Sequence, residues 1–218
     1  MNKDLTICLL LSPSDEKFIK GWCENHDGIA SRICVGIDED GPKAHNLYTK
    51  LLSLIQKSQF FSFNLNLNND FAGAKNQILD RCETKCRMFI DADELLMPHT
   101  ADHLKTFDWE YDVVNPEGSY AGVLRYNLFN RHFVHPDNYH MCFLNDDTRF
   151  VNTSPYLNAS PGCHEVPNGF RAGILNPDKY QILHLKENWT GNFRAKGYFD
   201  SRQQDAIDAL EKEIEATK

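Results

Sequence analysis

Three carboxylates crowd into four residues at Asp91-Ala92-Asp93-Glu94, directly behind the apolar run Met88-Phe89-Ile90. At that density the charges repel one another unless a cation or a proton offsets them. Hard divalent cations, Mn²⁺ and Mg²⁺ among them, take oxygen ligands and keep positions open for phosphate oxygens. The same four residues also suit a solvated acidic turn in which Asp or Glu caps the next helix. A second segment, Asn69-Asp70-Phe71-Ala72-Gly73-Ala74-Lys75-Asn76, opens a helix behind a strand, and its small residues leave room for a ligand near the backbone. Lys75 and Asn76 can then face a phosphate or a base. The alternative is an N-capped amphipathic helix with a solvent-facing lysine.

These segments need a scaffold, and the first half of the chain supplies one. Thr6 to Leu11 is a continuous apolar run, as expected of a strand covered on both faces. Ser12-Pro13-Ser14-Asp15 has turn and N-cap chemistry. Phe18, Ile19, Trp22 and Cys23 follow at helical spacing until Asp27-Gly28, and Ile33 to Ile37 forms a second apolar strand that ends in Asp38-Glu39-Asp40-Gly41. A second helix carries Leu47, Tyr48, Leu51, Leu52, Leu54 and Ile55. Phe61, Phe63, Leu65 and Leu67 alternate with polar residues, marking a strand with one polar face. A third helix is expected from about Phe71 to Cys82. Alternating strands and helices with short connections predict an α/β fold with a mostly parallel sheet between helices. Ligands bind such sheets beyond the carboxyl ends of the strands, where Ser12 to Asp15, Asp38 to Asp40 and Asp91 to Glu94 all fall.

Beyond Pro98 the texture changes. Val123-Leu124, His140 to Leu144, Phe150-Val151 and Ile182 to Leu185 read as strands among Pro-, Asn- and Gly-rich loops, giving a mixed α+β half. Asp200 to Lys218 reads as a polar helix. The segment Lys186 to Tyr198, with Trp189, Phe193, Arg194 and Lys196, either closes over an anionic ligand or packs its aromatics on the core. His99 and His103 fall on the helix after the acidic motif. With no internal repeat or linker, the expected organisation is one domain over 1–218, a ligand-binding half at 1–97 and an acceptor half at 98–218.

Composition bounds the function. The chain has 218 residues and a net charge of −8, from 23 Lys and Arg against 31 Asp and Glu, which argues against a general polyanion binder. No apolar run approaches the roughly 20 residues of a membrane span, and the apolar start reads as a first strand rather than a signal peptide. Seven scattered cysteines without a CxxC pair suit reduced thiols, with Cys8 and Cys34 as core residues. Cys82 and Cys86 are one helical turn apart, but no second pair at zinc-site spacing joins them. The expectation is a soluble cytoplasmic protein, or one of the host cytoplasm if viral.

Taken in order, Thr6 to Trp22, Val35-Gly36-Ile37-Asp38, Asp70-Phe71-Ala72-Gly73-Ala74-Lys75-Asn76 and Asp91-Ala92-Asp93-Glu94 resemble the family 2 glycosyltransferases, which use the GT-A fold. The resemblance covers roughly residues 4 to 97, with looser echoes to about 186. Two departures stand out: Ser12-Pro13-Ser14-Asp15 replaces the usual Asn-Glu of the first loop, and Glu39-Asp40 replaces a Ser/Thr-rich tail. The resemblance implies that Asp91 and Asp93 form a DxD-type pair, with Asp93 the more direct ligand of an Mn²⁺ or Mg²⁺ that bridges the donor diphosphate, and His184 from a later strand motif as a further metal ligand. It implies donor contacts from Asp38, Lys75, Asn76 and Arg149; Ser12 at the first strand end, Asp70 at the start of the third helix and Arg194 in the basic aromatic segment are expected to join them. Cys163-His164-Glu165-Val166 resembles the family's His-Glu motif, making Glu165 the catalytic base, with Asp93 or Glu94 as other choices, and placing His164 and Glu94 at the acceptor.

The function this implies is metal-dependent transfer of a sugar from a nucleotide-sugar donor, a UDP-sugar, to a hydroxyl acceptor with inversion. The acceptor is a glycan or a hydroxymethylated base in viral DNA. Two other classes share these features: a nucleotidyltransferase, which normally shows a Gly-rich phosphate loop where this chain has Ser12-Pro13-Ser14, and a nucleotide-sugar-binding module without chemistry.

Overall fold

The computed structural model describes residues 1–38, 41–68, 70–114, 116–129, 132–145, 148–152, 165–168 and 171–186. The expected polar helix from Asp200 to Lys218 and the basic aromatic stretch after Lys186 lie outside them.

The first half alternates as its patterning requires. Strand β1 (Asn2–Leu11) leads through a 3₁₀ turn at Pro13–Lys17 into α1 (Ile19–His26), then β2 (Ala30–Asp38), α2 (Pro42–Leu54), β3 (Gln59–Leu65), α3 (Phe71–Leu79) and β4 (Cys86–Phe89). β5 (Glu94–Leu96) follows, and the second half adds α4 (Pro98–Leu104), α5 (Trp109–Asp112), β6 (Tyr120–Phe129), β7 (His132–Asn145), β8 (Arg149–Asn152), β9 (Glu165–Asn168), β10 (Arg171–Ile174) and β11 (Gln181–Lys186). Nine strands form one sheet in the order β3-β2-β1-β4-β7-β6-β11-β5, with β10 beside β6, while β8 and β9 make a separate ribbon. Within the large sheet β7 and β5 run against the others. The pairing of β4 with β7 makes the sheet continuous across the two halves of the chain.

Period-two alternation along β1 splits the core into two layers. Leu5, Ile7, Leu9 and Leu11 join Trp22, Ile33, Val35, Leu47 and Leu51 on one face of the sheet. Cys8 joins Cys34, Leu65, Ile78, Leu79 and Phe89 on the other, under α3. Trp22 is fully buried, and its truncation to alanine is expected to cost about 3–5 kcal/mol. At Gly36 on β2 a Cβ would lie 2.5 Å from the Leu65 side chain of β3 and 3.0 Å from the Ile78 side chain of α3. A side chain at that position would therefore have to displace the Leu65 and Ile78 side chains.

Several local expectations change. Helix α3 stops at Leu79, three residues early, because the chain turns sharply there to enter β4. Cys82 therefore lies in a turn and Cys86 on a strand, not one helical turn apart. Cys82 instead meets the β1 and β2 thiols, its Sγ 3.6 Å from that of Cys8, and hydrogen bonds with Cys34 and Cys8 pull its pKa below the usual thiol range. Helix α2 buries only Ala44, Leu47 and Leu51, leaving Tyr48 and Leu52 exposed. Strand β3 is the sheet edge, so Phe61 is exposed and Phe63 is covered by the Arg81 guanidinium, 3.7 Å from its ring centre. Glu94, read as part of an acidic turn, begins β5. The amide of Asn25 on α1 holds that strand's far end, donating to Leu96 O (3.0 Å) and accepting from Leu96 N–H (2.7 Å). Among the described residues no helix is long and apolar enough to cross a membrane.

Candidate functional site

The carboxyl ends of β1, β2 and β4 open on one cleft of about 410 Å³. From β1 come Leu11, Ser12 and Asp15; from β2, Asp38; from the approach to α3 and its first turns, Leu67, Phe71 and Lys75; from β4, Asp91, Ala92 and Asp93. Each strand delivers its polar residue at or just beyond its carboxyl end.

The loops that carry these residues are tied locally. Asp15 Oδ2 accepts from Ser12 N–H (2.8 Å) and Ser12 Oγ (3.0 Å), so the first loop folds back on itself. Asp38 Oδ1 accepts from Leu67 N–H at 2.8 Å, joining the end of β2 to the loop that enters α3. Asp70 caps α3, accepting from Gly73 N–H at 2.9 Å. A Cβ on Gly73 would lie 2.1 Å from the Asp70 carboxylate. The small residue expected to admit a ligand therefore admits the cap.

Lys75 is 7% exposed yet lines the cleft. Its Nζ lies 5.4 Å from the ring centre of Phe89 and 5.2 Å from that of Phe150, and the two rings meet edge to face. Aromatic faces attract a cation at that range, so the ammonium is held at the cleft wall instead of waving in solvent. On β11, His184 Nε2 lies 3.1 Å from Asp93 Oδ2. The structure thus brings Ser12, Asp38, Lys75, Asp91 and Asp93 to one cleft, with His184 against Asp93.

Other expected residues have different placements. Asn76, read as a donor contact, spends its amide on β8: Nδ2 donates to Phe150 O (2.9 Å) and Oδ1 accepts from Phe150 N–H (2.8 Å). Arg149 reaches Asp80 at the end of α3 at 3.5 Å and donates to Thr148 O, and it is not among the residues lining the cleft. Glu94, read as an acceptor contact, is fully buried; it accepts from Asp91 N–H at 3.0 Å and from Arg125 Nη1 at 3.1 Å. A carboxylate without exposed surface cannot meet an acceptor there. Glu165 opens β9, in register with Asn152 of β8. His164 and Arg194 lie outside the described residues.

Reading by motif missed Arg125 and the Phe89–Phe150 pair. A signal for Arg125 was present: a single cation in the run Val123-Leu124-Arg125-Tyr126. A charge inside an apolar strand calls for a buried partner.

The charge of the cleft bears on a metal. Among its lining residues four aspartates, Asp15, Asp38, Asp91 and Asp93, face the single lysine, Lys75. A diphosphate would be repelled there without an accompanying cation. Among the described residues no three His, Cys, Asp or Glu side chains group closely enough to hold a metal alone. Asp91 and Asp93 line the cleft as two carboxylates, the kind of oxygen donor that a hard cation takes.

No protein-family model matches the chain, and no curated protein matches it either. Among solved structures it is similar to S. aureus TarS 1-349 in complex with UDP-GlcNAc, with a TM-score of 0.56 and 12% identity over 96% of this chain and 65% of that chain. Two further structures of TarS 1-349 align with a TM-score of 0.44: one at 14% identity over 59% of this chain, and one in complex with UDP at 13% over 58%, each covering 36% of that chain. The chain therefore spans less than two thirds of the length of each. The fold is GT-A-like: a mostly parallel, curled central sheet flanked by helices, with antiparallel strands in the C-terminal half.

Proposed function

We propose that this chain transfers a sugar from a nucleotide-sugar donor to a hydroxyl acceptor. The observation that carries the reading is the convergence of Asp38, Lys75, Asp91 and Asp93 on one cleft at three parallel strand ends of a GT-A-like fold. A similar structure aligned over 96% of this chain is a complex with UDP-GlcNAc, which supports a UDP-sugar.

Asp38, tied by one oxygen to Leu67 N–H, offers its carboxylate to the nucleoside. Lys75 offers a fixed positive charge to the phosphates. Asp91, Asp93 and His184 would hold Mn²⁺ or Mg²⁺. When bound, such an ion neutralises charge developing on the leaving diphosphate. Glu165 on the β8–β9 ribbon takes the proton of the acceptor hydroxyl as it attacks the anomeric carbon in line, with inversion. The acceptor hydroxyl belongs to a glycan or to a hydroxymethylated base of viral DNA.

The test is a panel of nucleotide sugars assayed for nucleoside diphosphate release with and without Mn²⁺, in wild type and Asp93→Ala. The reading expects release from a UDP-sugar that depends on the metal and falls at least 100-fold in the variant, on the order of a lost transition-state contact. Equal release by Asp93→Ala would refute it. Glycans and duplex DNA bearing hydroxymethylcytosine, supplied with the active donor, then assign the acceptor.

A further inference from the structure

Glu94 and Arg125 belong to different halves of the chain, 31 positions apart, and meet beneath the acidic turn. We propose that they form a positioning pair that sets the Asp91–Asp93 turn for donor and cation. The proposal rests on the sugar-transfer reading and adds to it the device that shapes its central turn.

Glu94 divides its two carboxylate oxygens. Oε2 accepts from Asp91 N–H (3.0 Å), and Oε1 accepts from Arg125 Nη1 (3.1 Å). Glu94 N–H in turn donates to Asp91 O at 3.0 Å. These two mutual bonds close a ring over residues 91–94, with Asp93 held inside it. Register does the rest: Glu94 on β5 pairs with His184 on β11, and His184 contacts Asp93. Asp91 is thus set through its backbone and Asp93 through its side chain, both from the same strand pair.

Arg125 reaches this point from β6 across β11, where its register partner is Ile182. A fully buried carboxylate beside two others would be strongly disfavoured as an anion without a cation against it. Stability alone does not call for such a pair, because packed apolar residues serve as well or better. What apolar residues cannot supply is an acceptor aimed at Asp91 N–H. Glu94 is absent from the residues lining the cleft, so it acts through the turn and not on substrate.

The test uses the arithmetic of acceptors. Glutamine has one acceptor oxygen where this site uses two, so Glu94→Gln must give up either Asp91 N–H or Arg125. Arg125→Met removes the cation that donates to Glu94 Oε1 and leaves the buried carboxylate without that charge. The double variant needs one acceptor only, which glutamine supplies. The expected result is a 10- to 100-fold loss of Mn²⁺·UDP affinity by calorimetry and of kcat/KM in Glu94→Gln, the range seen when supporting partners of metal ligands are removed. Amide exchange across residues 88–96 should quicken in that variant. Glu94→Gln/Arg125→Met should regain most of the affinity and the slow exchange. Unchanged exchange and Mn²⁺·UDP affinity in Glu94→Gln, or a double variant as impaired as the worse single one, would overturn the proposal. Wild type that releases no nucleotide would overturn the sugar-transfer reading instead, and the exchange comparison would still decide what Glu94 does.

Discussion

Acid should loosen helix α1 through His26. The ring is fully buried on the last turn of α1, stacked on Trp22 with centroids 4.4 Å apart, and its Nδ1 lies 2.7 Å from Trp22 O. A carbonyl only accepts, so Nδ1 carries the proton and Nε2 presents a bare lone pair, without a hydrogen-bond partner among the described residues. Protonation would place a charged N–H in that apolar spot. Burial therefore pulls the His26 pKa from 6.5 down to about 4, against the opposing pull of the Trp22 carbonyl. A helix C-terminus favours a cation by up to ~2 kcal/mol, but here desolvation is the larger effect. Because the folded pKa is the lower one, the unfolded chain takes up the proton first. The contribution is fully present above pH 6.5 and is lost as pH falls toward 4. At about 1.4 kcal/mol per pH unit the loss amounts to about 3 kcal/mol. The assay is urea unfolding of wild type and His26→Gln between pH 4 and 7.5. Lost stacking offsets the variant equally at every pH, so the difference between the two curves isolates the titration. That difference should shrink by about 3 kcal/mol on going from pH 7 to pH 4. Curves that stay parallel within about 0.5 kcal/mol would refute the reasoning. The consequence reaches the site, because Asn25, one residue before His26, is the clamp on β5.

Lys75→Met should separate stability from donor binding. A methionine fits between Phe89 and Phe150, so the melting temperature should hold or rise, while the donor KM should climb about 10- to 100-fold as a charge-assisted contact disappears; a KM like that of wild type would count against the phosphate role. Asn76→Ala should cost about 1–3 kcal/mol in urea unfolding, because it strands both backbone groups of Phe150. In kinetics it should depress kcat more than donor KM, since the ribbon it grips carries Glu165. An Asn76→Ala enzyme with unchanged kcat and raised donor KM would return Asn76 to the donor contacts.

The elements of the first half could be read from the chain because their apolar runs are long and their turn residues unambiguous. Thr6 to Leu11 is buried on both faces, and its alternation divides the two core layers. β5 was hidden for two physical reasons: three residues are too few to show a period, and its first residue is an acid that reads as solvent-exposed. The same limit governs the site. Asp38, Asp91 and Asp93 could be placed at the cleft because strand ends are where such sheets expose polar groups, and Lys75 because its segment opens a helix behind a strand. The directions of Glu94 and Asn76 could not be read, because each is set by a partner far along the chain: Arg125 for one, the Phe150 backbone for the other. A motif lists which groups are available, and tertiary contacts decide which of them face the ligand.

The most direct test is a crystal structure of the protein with Mn²⁺ and a UDP-sugar. The diphosphate should lie between Lys75 Nζ and the Asp91–Asp93 turn, with the cation on Asp93 and the nucleoside beside Asp38. Donor bound elsewhere, for example in the cleft of about 360 Å³ beside Trp109 and Glu110, with the Asp93 carboxylate touching neither metal nor phosphate, would contradict it.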